Sequence, residues 1–171
     1  VIGHEARALL AKLANEPRKL VIPWTLPGRN ELDNAQKTYV RPGLTLYAAT
    51  KARESANLRQ WAKRYPFDPP VGKVLIACTW RERTKHRDPD NIISGGRKFI
   101  LDALGRGRKG PRGWEGAGLL HCDGWHCIAG FVDVVVLAPD APGVEVVVAP
   151  IQLSLPLSPA AREAVVDLRG E

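Results

Sequence analysis

Apolar and polar positions divide the chain into alternating strands and helices. "RKLVIPWTLP" (18–27) is rich in β-formers and closes on Pro27-Gly28, the pattern of a strand running into a turn. "NELDNAQKT" (30–38) is mostly polar and fits a loop or a helical turn. In "LTLYAATKARESANLRQWAKR" (44–64), Leu46, Ala49, Ala52, Ala56 and Leu58 recur at helical spacing and Trp61 closes the face. The other face of that helix carries Lys51, Arg53, Arg59, Lys63 and Arg64. "FDPPVGK" (67–73) breaks the helix, and "VGKVLIACTW" (71–80) is apolar enough for a buried central strand. Residues 91–104 predict a helix with Ile92, Phe99, Ile100, Ala103 and Leu104 on one side, its regular start delayed by Gly95-Gly96. "CIAGFVDVVVLA" (127–138) and "GVEVVVA" (143–149) flank "PDAPG" and predict a hairpin. The order β-α-β-α-β-β gives an α+β fold: a single domain over 18–150, with helices packed on a mixed sheet. An N-terminal helical extension (1–17) precedes it and a tail (151–171) follows.

Composition narrows the class. A chain of 171 residues, 44% of them apolar, is long enough for one domain with a proper core. The net charge of +7 and pI near 9.6 favour a polyanionic partner, nucleic acid first and an anionic membrane surface second. No apolar run approaches the ~20 residues of a membrane span. The first residues lack the charged–apolar–small order of a secretory signal, so the location is expected to be cytoplasmic and the three cysteines reduced.

Against that cationic background, "KHRDPDNIISGGRKFILDAL" (85–104) places two acids where the bases are densest. Residues two apart in an extended segment point to the same side, and Pro89 holds Asp88 extended. Asp88 and Asp90 fit a solvated turn and a helix cap, or a pair of ligands for a hard cation. Arg81, Arg83, Lys85, Arg87, Arg97 and Lys98 surround them, the side chains that attract a phosphodiester. Carboxylates holding Mg²⁺ (or Mn²⁺ in its place) supply what breaks one. Asp123, in "GLLHCDGWHCIAGF", is either a turn residue or the third acid. Lys98 is either an exposed partner of Asp102 or a charge beside the scissile phosphate.

The set "DPDN…GGRKFILDAL…GLLHCDGW" resembles the RusA-type Holliday-junction resolvases, endonucleases of phages and prophages that cut four-way DNA. "LVIPWTLPGRNE" is similar to that family's opening strand and turn, and "FVDVVV…PGVEVVV" to its closing hairpin; the likeness spans roughly residues 19–149. It departs in the insertion of "IISGG" before the lysine, in Cys122 where an aspartate is common, and in a longer loop at 105–118. The resemblance implies a homodimer making paired, symmetric, Mg²⁺-dependent nicks, with Asp88, Asp90 and Asp123 binding metal and Lys98 assisting. Forks or flaps are alternative substrates, and a bacterial host implies a nucleoid-associated enzyme.

Three further features carry alternatives. His121, Cys122, His126 and Cys127 are zinc-ligand types at poor spacing, and would suit a non-cutting, zinc-stabilised DNA-binding accessory protein. Arg106, Arg108, Lys109 and Arg112 sit among glycines in a loop that either is solvated or follows a phosphate backbone; Trp114 within it is a candidate for stacking. In the tail, Gln152, Leu153, Leu155 and Leu157 are similar to a bacterial sliding-clamp-binding peptide, or else pack on the protein's own core. A PD-(D/E)xK nuclease is disfavoured, because "VDVVV" and "VEVVV" end in valine rather than lysine.

Overall fold

A computed structural model describes residue 13 and residues 16–65, 67–107, 109–110, 113–114, 116–124 and 126–151, with 109–110 and 113–114 described for their backbone alone. The elements run β1 (Lys19–Ile22), α1 (Arg29–Gln36), β2 (Tyr39–Arg41), β3 (Leu44–Thr45), α2 (Leu46–Ala62), β4 (Val74–Glu82), α3 (Pro89–Leu104), β5 (Lys109–Gly110), β6 (Gly113–Trp114), β7 (Ile128–Leu137) and β8 (Gly143–Pro150). This is an α+β arrangement around a mixed four-stranded sheet of order β1-β8-β4-β7. Among the described residues no helix is long and apolar enough to cross a membrane.

The apolar run of β4 is explained by its place. It pairs in parallel with β7 on one side and antiparallel with β8 on the other, so both its edges are covered, and the face toward the helices is buried. Val74, Ile76, Cys78 and Trp80 alternate toward the helices, where they join Leu20, Ile22, Val144, Val146 and Val148 in the main core. Leu75, Ala77, Val132, Val147 and Ala149 lie on the other face and meet Leu13.

The expected 127–149 hairpin is not formed. β7 and β8 are sequential and antiparallel, but β4 lies between them and takes the ladder bonds of both. The connection crosses the end of β4: the Ala138 N–H donates to the Glu82 carbonyl at 2.8 Å. Gly143 then opens β8 at a φ of 145°, and a Cβ there would collide with the Ile22 carbonyl. Only glycine lets the chain pass so close to the end of β1.

Three further differences have local causes. The polar 30–38 stretch is largely helix, because Leu32 and Ala35 are buried on one side and the Glu31 carboxylate accepts the Gly28 N–H at 2.7 Å. A small β2–β3 ladder precedes α2, whose first turn is capped by Thr45 Oγ1 accepting the Ala48 N–H at 3.2 Å. Part of the basic loop forms the short β5–β6 ladder.

Gly95 and Gly96 do not delay α3, which is regular from Pro89; they let it approach its neighbours. A Cβ on Gly95 would stand 2.5 Å from the Gly28 carbonyl carbon, and one on Gly96 would stand 2.5 Å from the Trp80 ring. Gly95→Ala and Gly96→Ala are therefore expected to lower stability, by roughly 1–3 kcal/mol for an overpacked core. That corresponds to a fall in melting temperature of about 2–4 °C per kcal/mol. A calorimetric scan in which both variants melt with the parent would reject this packing.

Candidate functional site

The site begins where α3 meets α1. Asp88 is the N-cap of α3, at φ −67° and ψ 140°, and its carbonyl accepts the Ile92 N–H at 3.1 Å; its side chain makes no capping bond. Asp90 lies in the first turn, and both carboxylates are exposed. The positive end of the helix dipole favours their charge. The neighbouring Asn91 has a different task. Its Oδ1 accepts the Asn30 N–H at 2.5 Å, one of the donors that the first turn of α1 leaves without an intrahelical partner. Arg87 completes the joint: Nη2 reaches the Leu26 carbonyl at 2.8 Å and Nη1 reaches Glu82 at 3.1 Å. The "LPGRNE" and "RDPDN" motifs, far apart in sequence, are thus one packed corner.

Lys98, Asp102 and Asp123 form the second part. Asp90, Ser94, Lys98 and Asp102 follow at four-residue intervals on one face of α3. Lys98 Nζ is 3.4 Å from Asp102 Oδ1. Ser94, Arg97, Lys98, Leu101, Asp102 and Asp123 line a cavity of about 380 Å³. Asp123 therefore faces the Lys98–Asp102 part of the helix, whereas Asp88 and Asp90 stand at its start. Eight residues of helix separate Asp90 from Lys98, about 12 Å of rise. Among the described residues no three of His, Cys, Asp and Glu are close enough to hold one ion together, so the three acids do not converge within the chain.

Partners divide the acids. Glu16, Glu31, Asp33, Glu54, Glu82, Asp102, Asp133 and Glu145 each pair with a cation. Among the described residues the carboxylates of Asp88, Asp90 and Asp123 take no hydrogen bond or ion pair, a condition shared with the loop residues Asp68 and Asp140.

The basic residues are less uniform than their spacing suggests. Arg97 is committed to the buried carboxylate of Asp133 and lies 4.4 Å over the Phe131 ring. Arg87 is the corner clamp just described. Arg81 alternates to the sheet face away from the helices. Arg83 and Lys85 are exposed between β4 and α3, and Arg106 is exposed just after α3. Arg108, Arg112 and the Lys109 side chain lie outside the described residues, as do the Trp114 side chain, Trp125 and the clamp-like Gln152, Leu153, Leu155 and Leu157.

A larger cavity, about 700 Å³, opens beside Asp102 and Asp123, with Lys51, Ser55 and Arg59 of α2 along one wall. Lys51 and Arg59 belong to the polar helix face read from the sequence, but Ser55 does not, and nothing local said what that face looks onto. No family model, curated protein or solved structure matches the chain.

The cysteines depart from the reduced state expected of them. Cys122 and Cys127 form a disulfide, with Cα atoms 5.8 Å apart, and so cannot offer zinc the thiolates it requires. The Cys127 N–H donates to the Gly124 carbonyl at 3.0 Å, a contact that helps bring the two sulfurs within bonding range. Cys78 alone is free; burial, then the charge of Asp133, pushes its thiol far above the usual range, with Arg97 opposing. Thiol titration of the unfolded protein is therefore expected to find one reactive cysteine before reduction and three after it. Three before reduction, with the chain purified without reductant, would remove the disulfide.

Proposed function

We propose that the protein is a metal-dependent, structure-selective DNA endonuclease that nicks four-way junctions, acting as a homodimer in the cytoplasm of a bacterial host. The observation that carries this reading is the set of unpartnered carboxylates. In a chain of net charge +7, Asp88, Asp90 and Asp123 keep their charge uncompensated beside α3, while most other described acids have a cation. An uncompensated acid pair at an exposed helix start has the right donor chemistry for Mg²⁺, which takes oxygen ligands and needs only one or two carboxylates with water. Asp88 and Asp90 would hold the ion, with Asp123 facing the same helix. Bound there, Mg²⁺ would polarise a phosphoryl oxygen and lower the pKa of a water.

The chain's own residues do the rest. Lys98, on the same helical face as Asp90, offers an ammonium to the charge that develops on the phosphate or leaving oxygen. Arg83 and Lys85 provide charge for the backbone approaching α3. The corner built by Asn91 and Arg87 fixes the start of α3, and with it the backbone that would carry the two carboxylates. Two copies related by a two-fold axis would match the symmetry of the junction and deliver paired nicks. Residues 152–157 would recruit the enzyme to a sliding clamp.

Asp90→Asn is expected to bind a four-way junction as the parent does and to lose Mg²⁺-dependent nicking. Lys98→Ala is expected to retain binding and cut about 10²–10³-fold more slowly. A denaturing gel comparing junction, fork and duplex with and without Mg²⁺ checks both. Undiminished cutting by Asp90→Asn would overturn the site, and preference for the fork would move the substrate to replication intermediates.

A further inference from the structure

The 700 Å³ cavity is not explained by the carboxylates at the start of α3. One wall is a stripe of α2: Lys51, Ser55 and Arg59, four residues apart and therefore stacked on one side of the helix. Arg106, just after α3, and His121 complete the basic lining. Asp102 and Asp123 occupy the remaining corner and belong to the smaller Lys98 cavity as well, so the two spaces share a border. Charge is thus graded across a single depression. Cations from α2 and the chain after α3 lie on one side, and carboxylates lie on the side toward Lys98.

We propose that this cavity is a phosphodiester subsite, in which Lys51 and Arg59 grip the backbone of the DNA strand as it runs past the cut. The assignment rests on the nuclease reading above and extends it to a surface that the motif around Asp88 does not reach. Three observations fit a strand better than a small anion. The cationic stripe is linear, with about 12 Å of helix rise from Lys51 to Arg59. The cavity is larger than a lone phosphate requires. Lys51 also lines a third space with Arg29, Ser94 and Lys98, so the depression continues along α3. Phosphate contacts of this kind position a strand without reading its sequence.

The test uses the full chain, a fluorescent four-way junction and EDTA, so that binding is read where no cutting occurs. Each lost phosphate contact is expected to flatten the dependence of log affinity on log salt by about 0.9. Lys51→Gln should thus lower the slope by about one contact and Lys51→Gln/Arg59→Gln by about two, with Lys37→Gln, outside this cavity, unchanged. Lys51 is only partly buried, so Lys51→Gln carries the test even if the double variant melts early. If the parent binds and cuts while the Lys51 variant matches it in affinity and slope, the subsite is wrong and the nuclease reading stands. Equal loss at Lys37 would reduce the effect to net charge and also reject the subsite. A parent that neither binds nor cuts would remove both.

Discussion

The seating of α3 on Trp80 controls the rest of the structure. Gly96 leaves room for the indole beneath the helix, and the indole N–H donates to Asp133 Oδ1 at 2.8 Å. The other oxygen of that carboxylate takes Arg97 of α3. One buried acid therefore ties together β4, β7 and the helix that crosses between them. Arg97 is about one-third exposed, so breaking this pair is expected to cost less than breaking a fully buried one. The same contacts fix the rotation of α3. A shift of one residue would turn it by about 100° and carry Asp90, Ser94, Lys98 and Asp102 away from Asp123.

This constraint sorts the charges by role. Arg97 and Arg87 look in sequence like parts of a phosphate-binding cluster, but they hold the frame: one locks α3 to the sheet, the other locks its start to α1. Planar guanidinium groups suit that work, because one fork can satisfy two oxygens at fixed angles. The lysines and arginines near the surface, Arg83, Lys85, Lys51 and Lys98, are left to meet solvent or a ligand. Among the described residues most acids are paired with a cation as well, and Asp88, Asp90 and Asp123 are left over beside α3, as Asp68 and Asp140 are in loops elsewhere.

The central features were legible because their patterns are local. The apolar run of β4 and the periodicity of α3 each follow from the burial of that element alone, whereas the apolar face expected of α2 is not the one it buries: Leu46, Ala52 and Ala56 are exposed, and Glu54, Ser55, Leu58 and Ala62 turn inward. The hairpin was misread because sequential Val-rich strands with a short connection look alike whether they pair or straddle a third strand. The arbiter is β4, about fifty residues upstream. Gly95-Gly96 was misread for a related reason: a glycine pair disfavours a helix intrinsically, yet here a close neighbour demands it. The disulfide depends on the approach of Cys127 to Gly124, which the residue spacing does not reveal. For the site, the helical face carrying Asp90, Lys98 and Asp102 could be read from spacing. The turn of α3 that a loop twenty residues away would face could not.

That last separation bears on how the proposed chemistry would be divided. Magnesium–oxygen bonds are about 2.0–2.1 Å long, whereas the start of α3 and the Lys98 turn are separated by about 12 Å of helix. A single ion on Asp88 and Asp90 is therefore not also a direct ligand of a carboxylate at the far end. Mg²⁺ does not require one, since it keeps most of its waters. Asp123 is better suited to act on the strand beside Lys98 than to close a compact three-acid cage. The placement of Asp102 agrees with this division. It holds Lys98 at 3.4 Å, on the side of the helix where an ammonium would meet the phosphate rather than the ion. In the proposed enzyme, α3 then works as a ruler, with cation binding at its first turn and charge neutralisation two turns later.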